Sequence, residues 1–424
     1  MKKKSIAYYL LTIMFVLLFL SGCSSEEKKV AEEAFTKETA RLTEQFAKRD
    51  AAIADAQAII DGGEKAYVES LIPSLETEIS SAKAVDIVIP EMPKKLEELK
   101  AETEKLKAVD CTESLANLAV AKENAELSIQ REKLVTAPKE AYIIERLKTV
   151  VLVKDIAAAT ETNDPNGNLN KQGGYTAQVF FSCPWVNQAD VYGDSLVEKG
   201  TDAGGSIEVY RTEEEVNNRE TYLSAFDGGI LASGSHKTIG TILVRTSDTL
   251  TASQQKELES KLIQALIHLD IDDAIANTEV SNGSDGWGVY KDGKLDETYN
   301  GIATNNMGQW LIKDGKVSFD YSGEFTYAGL IYTVEGGKVQ VDTAYTNTEA
   351  SADATVESNA SSKQDSTTTQ TTANSSNAET TTASTTSATT TNTTRAVTRT
   401  TVATTAASTT ATMSASMAPT IGEG

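Results

Sequence analysis

The sequence predicts a multidomain protein. In order, we expect an N-terminal all-α coiled coil or helical bundle, a central α+β domain with a mainly antiparallel sheet, a short β-hairpin repeat and a disordered tail. Residues 23–137 are rich in the helix formers Ala, Glu, Lys, Leu and Gln. Residues 138–275 mix short apolar strands with amphipathic helices, and residues 285–345 repeat a turn motif with an offset of 22.

The first 22 residues predict an export signal. Three lysines at positions 2–4 precede an apolar run over Ile6–Leu20, which is too short for a comfortable membrane span and ends in small residues. The run Leu20-Ser21-Gly22-Cys23 resembles a bacterial lipobox, in which the cysteine thiol is acylated and the signal is removed just before it. The resemblance implies a chain tethered through lipid on Cys23 to the extracytoplasmic face of the cell membrane. The alternative is an ordinary signal peptide with a chance cysteine.

Residues 23–137 predict a helical stalk. The first helix has one apolar face and ends at Asp61-Gly62-Gly63, because glycine tolerates a left-handed cap. Pro73 is expected to kink or split a second helix. The residues of the first apolar face are Phe35, Leu42, Phe46, Ile53 and Ile60. The narrow apolar stripes favour a spacer that lifts later domains off the membrane, and a helical domain without a spacer role is the alternative.

The pattern over 138–275 predicts a compact domain with helices on one face of a sheet. A helix is expected over 139–149, strands over 150–157, 175–182, 205–211 and 238–245, and further helices over 212–226 and from 251 onward. This segment resembles an extracellular domain of surface lipoproteins of Gram-positive anaerobes, which implies a location but no activity. The resemblance is carried by Asn163-Asp164-Pro165-Asn166-Gly167, Gly173–Val179, Val191–Asp194, Glu198–Asp202, Leu231–His236 and Val244–Ser247.

Two polar groupings in this domain are candidate sites. Asp164, Asn166 and Asn168 alternate like the first ligands of a calcium loop. A polar turn is the simpler interpretation, because the glycine stands at the fourth position instead of the sixth and Tyr175 stands where the bidentate Glu is needed. Ser233 and Ser235 beside His236 suggest a nucleophile and a base, yet a turn before a strand is the simpler interpretation. Apart from possible calcium, no cofactor is predicted.

Residues 285–345 predict stacked β-hairpins. Lys291-Asp292-Gly293-Lys294 recurs 22 positions later and then again as Glu335-Gly336-Gly337-Lys338, and such turns require positive φ. The pattern resembles the cell-wall-binding repeats of choline- and glucan-binding proteins, which implies glycan binding through aromatic rings. The matching residues are Trp310, Gly315, Val317, Tyr332 and Gly337.

The hairpins depart from those repeats, because each carries one ring instead of a pair. Choline recognition, which needs several rings around one cation, is therefore not expected. Trp287, Trp310 and Tyr332 remain candidates for stacking on sugar, and core packing of the hairpins is the alternative.

Residues 351–424 contain 37 Ser or Thr among 74 residues and no aromatic residue, so we expect a disordered tail. The formal net charge of −22 argues against non-specific binding of nucleic acid. Cys111 and Cys183 fall in different segments and are expected to stay free, with a disulfide as the alternative.

The sequence therefore predicts a lipid-anchored, non-enzymatic binding or adhesion protein at the cell surface, whose repeats engage cell-wall glycan or a host surface. Two alternatives stay open. One is an extracellular hydrolase with its site in the α+β domain, which predicts that His236 meets carboxylates. The other is a purely structural spacer.

Overall fold

The computed structural model describes residues 3–229 and 234–340, with side chains from residue 25 onward. All of these residues belong to one compact unit, Met1–Ala354. An N-terminal helical region is followed by two sheets whose paired strands run antiparallel. The predicted tail over 351–424 lies outside the described residues.

The helices occupy the first part of the chain and flank the first sheet. Their bounds are α1 Lys3–Gly62, α2 Leu71–Ala84, α3 Leu96–Ala108, α4 Thr112–Val135, α5 Glu140–Thr149, α6 Leu196–Lys199, α7 Glu213–Ser224, α8 Ala252–Leu266 and α9 Asp270–Asn277. A 3₁₀ turn over Gly200–Ala203 follows α6. Among the described residues, no helix is both long enough and apolar enough to span a membrane.

The strands form one five-stranded and one nine-stranded sheet. The first sheet contains β1 Ile156–Ala158, β2 Ala177–Ser182, β3 Gly204–Val209, β4 His236–Ile239 and β5 Ile242–Thr246, in the order β1-β2-β3-β5-β4. The second contains β6 Val280–Gly283, β7 Gly286–Lys291, β8 Lys294–Leu295, β9 Gly301–Asn305, β10 Gly308–Lys313, β11 Lys316–Val317, β12 Gly323–Tyr327, β13 Leu330–Glu335 and β14 Lys338–Val339.

Helix α1 is supported along its length by the helices that follow it. Phe35 and Leu42 pack against Leu99 and Leu106 of α3, and further along Ala56 packs in a cluster with α2 and α4. The predicted apolar face of α1 therefore points inward. Helix α2 begins at Leu71, so Pro73 stands in its first turn. The helix is not kinked there, because a first-turn residue has no intrahelical partner for its N–H.

The five-stranded sheet is covered on both faces. Val179, Ile207 and Val244 pack in the main core with Leu147 of α5 and Leu262 of α8. The opposite face packs against α7, which Thr212 caps by accepting a hydrogen bond from the N–H of Glu215. This arrangement corrects the expected coverage of one face only.

Two predicted strands of this sheet differ in the structure. The strand expected over 238–245 is the hairpin β4–β5, because Gly240 turns the chain with a φ of 52°. A Cβ at Gly240 would lie 2.7 Å from the carbonyl oxygen of Val135, so this turn is pressed against the end of α4. The strand expected over 150–157 forms only at Ile156–Ala158.

The nine-stranded sheet contains tight turns where the sequence places Asp-Gly and Gly-Gly. Both central residues of each turn have positive φ: 52° and 75° at Asp292-Gly293, 47° and 77° at Asp314-Gly315, and 55° and 77° at Gly336-Gly337. Such turns follow the right-handed twist of the strands that they join. The preceding strands begin at Gly286, Gly308 and Leu330.

The second half of α4 is in contact with both sheets. Gly329, in the turn between β12 and β13, donates its N–H to Oδ1 of Asn124 at 2.9 Å. The N–H of Thr241, in the turn between β4 and β5, donates to the carbonyl oxygen of Val135 at 3.0 Å. The carbonyl oxygen of Ser128 accepts a hydrogen bond from the N–H of Tyr67, in the loop after α1. Helix α4 is thus the common support of the helical region and the two sheets.

Candidate functional site

The hairpin region carries an exposed group of aromatic side chains. Trp287 is 37% exposed and Phe319 is 53% exposed, while Trp310 is half-buried. The rings of Trp310 and Phe319 meet edge to face, with their centroids 5.8 Å apart. Flat apolar rings at a surface are suited to stacking on the apolar face of a sugar ring. Phe319 follows a two-residue strand and has no counterpart in the other turns, so the sequence pattern did not select it.

Polar groups border the aromatic pair. The indole N–H of Trp310 donates to Oδ1 of Asn305 at 3.0 Å, and this fixes the orientation of the ring. The amide nitrogen Nδ2 of Asn305 is buried and has no hydrogen-bond partner within the described part of the chain. The ammonium of Lys338 lies 5.9 Å from the centroid of the Trp310 ring. The Lys338 ammonium beside this ring can donate hydrogen bonds to hydroxyl oxygens.

Tyr332 does not belong to this surface. Its side chain is 1% exposed and packs in the main core with Leu311 and Val334. The ring cannot stack on a glycan from that position, so the sequence-based assignment of Tyr332 as a ligand residue is wrong in this structure. The alternation of β13 explains the result, because Leu330, Tyr332 and Val334 share the strand face that is turned toward the core.

Asp164 organises its loop through hydrogen bonds. Its two carboxylate oxygens accept hydrogen bonds from the N–H groups of Asn166, Asn168 and Leu169 and from the hydroxyl of Tyr175. Burial raises the pKa of Asp164, but the hydrogen bonds from Tyr175 and these backbone groups outweigh it and hold the pKa below its ordinary value. The three residues proposed for calcium are thus arranged around one carboxylate whose oxygens already have donors.

His236 meets carboxylates, as the hydrolase alternative requires. Its Nδ1 lies 2.6 Å from Oε2 of Glu220 on α7, and its Nε2 lies 3.1 Å from Oδ1 of Asp227. The neighbouring hydroxyl of Ser235 donates to Oε2 of Glu259 at 2.9 Å and lies 2.7 Å from the hydroxyl of Thr246. Both ring nitrogens are therefore engaged by carboxylates, and among the described residues neither has the hydrogen bond to a hydroxyl group that a general base needs. Ser233 lies outside the described residues.

A buried ion-pair network lies under α7. Glu208 of β3 is fully buried and accepts hydrogen bonds from Nε of Arg219 at 3.1 Å, Nη1 of Arg245 at 3.0 Å and the hydroxyl of Tyr210 at 2.7 Å. Beside it, the side-chain amide of Gln178 is buried without a hydrogen-bond partner in the described residues. Sequence reasoning missed this network, because its members lie on separate strands and a helix and none belongs to a motif.

The remaining candidate residues are separate from the aromatic surface. Cys111 and Cys183 are both buried and both free. The side chain of Cys23 lies outside the described part of the chain. Glu198 closes a capping box with Ser195 at the start of α6, so its carboxylate is used to cap that helix. Within the described residues, no group of three His, Cys, Asp or Glu side chains is arranged to hold a metal ion.

No protein-family model, no curated protein and no solved structure matches this chain. The exposed rings of Trp287 and Phe319 and the half-buried ring of Trp310, which together we call the aromatic recess, combine apolar surface with polar groups beside Trp310. We take this recess as the candidate functional site.

Proposed function

We propose that the hairpin region is a non-catalytic glycan-binding module, and that the aromatic recess stacks on sugar rings of the cell wall. The carrying observation is the edge-to-face pair of the half-buried Trp310 and the exposed Phe319. Burial of a large ring is favourable, so a ring left exposed on a sheet is available to a ligand. The ammonium of Lys338, near the Trp310 ring, would then contact hydroxyl oxygens of the sugar.

The internal repeat supports a stack of three hairpin units. One apolar cluster of this region consists of Val280, Val289, Tyr299, Ala303, Trp310, Ile312 and Val317. Each of these positions recurs with an offset of 22 among the members of the larger main core, as Ile302, Leu311, Tyr321, Phe325, Tyr332, Val334 and Val339. Each set of seven would then lie between two successive units.

This equivalence relates Trp287 to Trp310. With the offset of 22, Trp287 corresponds to Gln309 and Trp310 corresponds to Tyr332. Gln309 and Tyr332 line one cavity beside α9. In the neighbouring layer the same two places are occupied by Trp287 and Trp310. The repeat therefore supports a shared recess bordered by Trp287 and Trp310.

We further propose that the protein is a surface lipoprotein anchored through Cys23. The basic start, the apolar run and the small residues before Cys23 support this location. A diacylated cysteine would be sufficient for stable anchoring, because each buried methylene adds about 0.8 kcal/mol. The anchor would hold the glycan-binding module next to the wall polymer that it is proposed to bind.

Sedimentation with insoluble peptidoglycan and its attached polysaccharide tests this function. The full chain, purified in mild detergent, is expected to co-sediment, and replacing both Trp287 and Phe319 with alanine should weaken retention about tenfold, since stacking contacts are worth about 0.5–1.5 kcal/mol each. Tyr192→Ala is the matched control, because Tyr192 is an almost fully exposed aromatic residue outside the hairpins. Retention that is unchanged in the double variant, or absent in the parent chain, would overturn the proposal.

A further inference from the structure

A polar groove lies between α5, α8 and α9, away from the aromatic recess. Its volume is about 650 Å³, and its lining includes Arg146, Val151, Lys261, Gln264, His268 and Asp273. An adjoining cavity of about 180 Å³ shares Gln264, His268 and Asp273 with it and reaches Gln309 on β10. Volumes of this size accommodate a small organic ligand.

The groove has opposite charges at its two ends. Lys261 stands near the middle of α8, and His268 follows the end of that helix, seven residues later. At 1.5 Å per residue, the two ends are about 10 Å apart. Asp273 lies at the His268 end, with its carboxylate 3.2 Å from Nε2 of His268, and Asp270 lines the same end.

Other charged groups near the groove are committed to the fold. Asp272 receives a bidentate interaction from Arg131, at 2.7 and 2.8 Å. The guanidinium of Arg146 donates to the carbonyl oxygen of His268 and lies over the ring of Tyr142. Between Lys261 and His268 the lining combines the polar Gln264 with the apolar Ala265, and the apolar Val151, which is 79% exposed, also lines the groove.

We propose that this groove binds a short peptide whose amino and carboxyl termini are both free. The α-ammonium would pair with Asp273 and Asp270, and the α-carboxylate would pair with Lys261. Three extended residues span about 10 Å, which matches the distance between the charged ends. Ala265 and Val151 offer apolar surface to small side chains such as alanine, and Gln264 can hydrogen-bond to the peptide backbone. The inference does not depend on the aromatic recess, because the two sites share no residue.

Calorimetric titration of the full chain with tri-alanine tests the proposal. We expect saturable binding of tri-alanine and at least tenfold weaker binding of N-acetyl-tri-alanine amide, since the capped peptide lacks both charges. Lys261→Ala and Asp273→Asn should each weaken tri-alanine binding about tenfold, because each removes one charge-assisted contact. Lys37→Ala is the control, because Lys37 is an exposed lysine of α1.

The outcomes separate this site from the glycan site. Equal binding of the free and capped peptides, or no saturable binding of tri-alanine, would overturn the peptide proposal. Unchanged affinity in both groove variants would also overturn it, provided that circular dichroism shows their fold intact. The Trp287→Ala, Phe319→Ala double variant should bind tri-alanine like the parent chain, so loss of wall retention and loss of peptide binding are independent results.

Discussion

The carboxylate of Glu208 lies in the interior between two arginines. Burial alone would raise its pKa, but the charges of Arg219 and Arg245 and the Tyr210 hydroxyl outweigh burial and lower the pKa below its ordinary value. A carboxyl group whose pKa is lowered in the folded state contributes stability above its unfolded pKa. That contribution is lost as the pH falls through the folded value.

Replacing Glu208 with glutamine should therefore destabilise the protein at neutral pH. We expect a loss of about 3 kcal/mol in the free energy of unfolding, because two guanidinium groups lose their buried counter-charge. The difference from the parent chain should shrink below about pH 4, where the parent carboxyl group is also becoming protonated. Urea denaturation at pH 7 and pH 3.5 measures both effects.

Glu215→Gln serves as the control for this prediction, because its ion pair with Arg211 is partly exposed at 3.8 Å. We expect it to cost less than about 1 kcal/mol. A Glu208 variant as stable as this control at pH 7 would contradict the assignment of Glu208 as a buried, ionised partner of both arginines.

Glu132 of α4 should behave in the opposite way. Burial raises its pKa, although the charge of Lys65 opposes the shift, and its Oε2 atom has no hydrogen-bond partner in the described residues. The ionised form is penalised in the fold, so the penalty develops as the pH rises above the unfolded pKa. Glu132→Gln should stabilise the protein by about 1 kcal/mol at pH 8 and leave it unchanged at pH 4.

Thermal unfolding at pH 4 and pH 8 distinguishes stabilisation that depends on the ionisation of Glu132 from stabilisation that is independent of pH. The exposed Glu123 on the same helix supplies the control variant Glu123→Gln, for which we expect no pH-dependent gain. Equal stabilisation by Glu132→Gln at pH 4 and pH 8 would show that ionisation of Glu132 is not the cause.

The residue-scale predictions from sequence were correct where the local pattern determines the outcome. The apolar spacing of α1 identified Phe35 and Leu42 as buried residues. Tyr332 was assigned wrongly, because the same ring spacing fits a surface and a layer between hairpins, and only the packing distinguishes them. Glu208 could not be identified, because its partners come from α7 and β5.

At the scale of single elements, the tight turns of the second sheet follow from local chemistry. Asp-Gly and Gly-Gly adopt positive φ at both central positions with little strain. The surroundings of the glycines differ, however. A Cβ at Gly293 would meet nothing within 4 Å, whereas a Cβ at Gly315 would lie 2.5 Å from the carbonyl oxygen of Asp296.

These two glycines give a matched pair of variants. Gly293→Ala should cost about 1 kcal/mol, because alanine is strained only by the positive φ. Gly315→Ala should cost about 1–3 kcal/mol more, because the backbone of the neighbouring hairpin must also move. Chemical denaturation of both variants measures the difference. Equal losses in the free energy of unfolding would contradict the tighter packing of the Gly315 turn.

Other elements depended on contacts that are distant in sequence. Gly240 divides an apolar run into β4 and β5 because its turn packs against Val135, more than one hundred residues earlier. The periodicity of 238–245 cannot show this. Helix α4 shows the same effect, because it buries Arg131 and Glu132, which sequence reasoning places on a solvated face.

At the scale of the whole molecule, Arg131 links regions that are far apart in the chain. It is fully buried, and Nη1 donates to the carbonyl oxygen of Ile267 after α8. It also pairs with Asp272 of α9, and Nη2 donates to the carbonyl oxygen of Ala328 in the turn between β12 and β13. One side chain of the helical region thus contacts the elements flanking both sheets.

Arg131→Met should destabilise the protein by about 3–5 kcal/mol, because it leaves Asp272 without its counter-charge. The loss should extend beyond α4. Hydrogen exchange is expected to accelerate in α9 and in β12–β13, whose contacts with Arg131 are removed. Lys37→Met is the control, since Lys37 is an exposed residue of α1. Faster exchange that is confined to α4 would contradict a linking role.

The boundaries expected at 137 and 275 fall between α4 and α5 and within α9, inside one compact unit. Composition detects where helices give way to strands, but it does not show that Asn124 and Arg131 contact the turn at Ala328-Gly329. A fragment that begins at 138 would lose these contacts, so binding experiments need the full chain. The coarse order of a helical region followed by antiparallel sheets was predictable from sequence, because it depends on local propensity.

The docking of Gly329 on α4 has a consequence for how the hairpin region could change in evolution. The last hairpin is held by Asn124, and the middle one by Thr304, whose N–H donates to the carbonyl oxygen of Thr278 at 2.8 Å. An array with a free end can gain or lose units by duplication and so alter its valency. An inserted unit here would pull one of these attachments apart. The frame that holds the described units therefore sets their number, and tighter binding of the proposed glycan would have to arise by substitution within them.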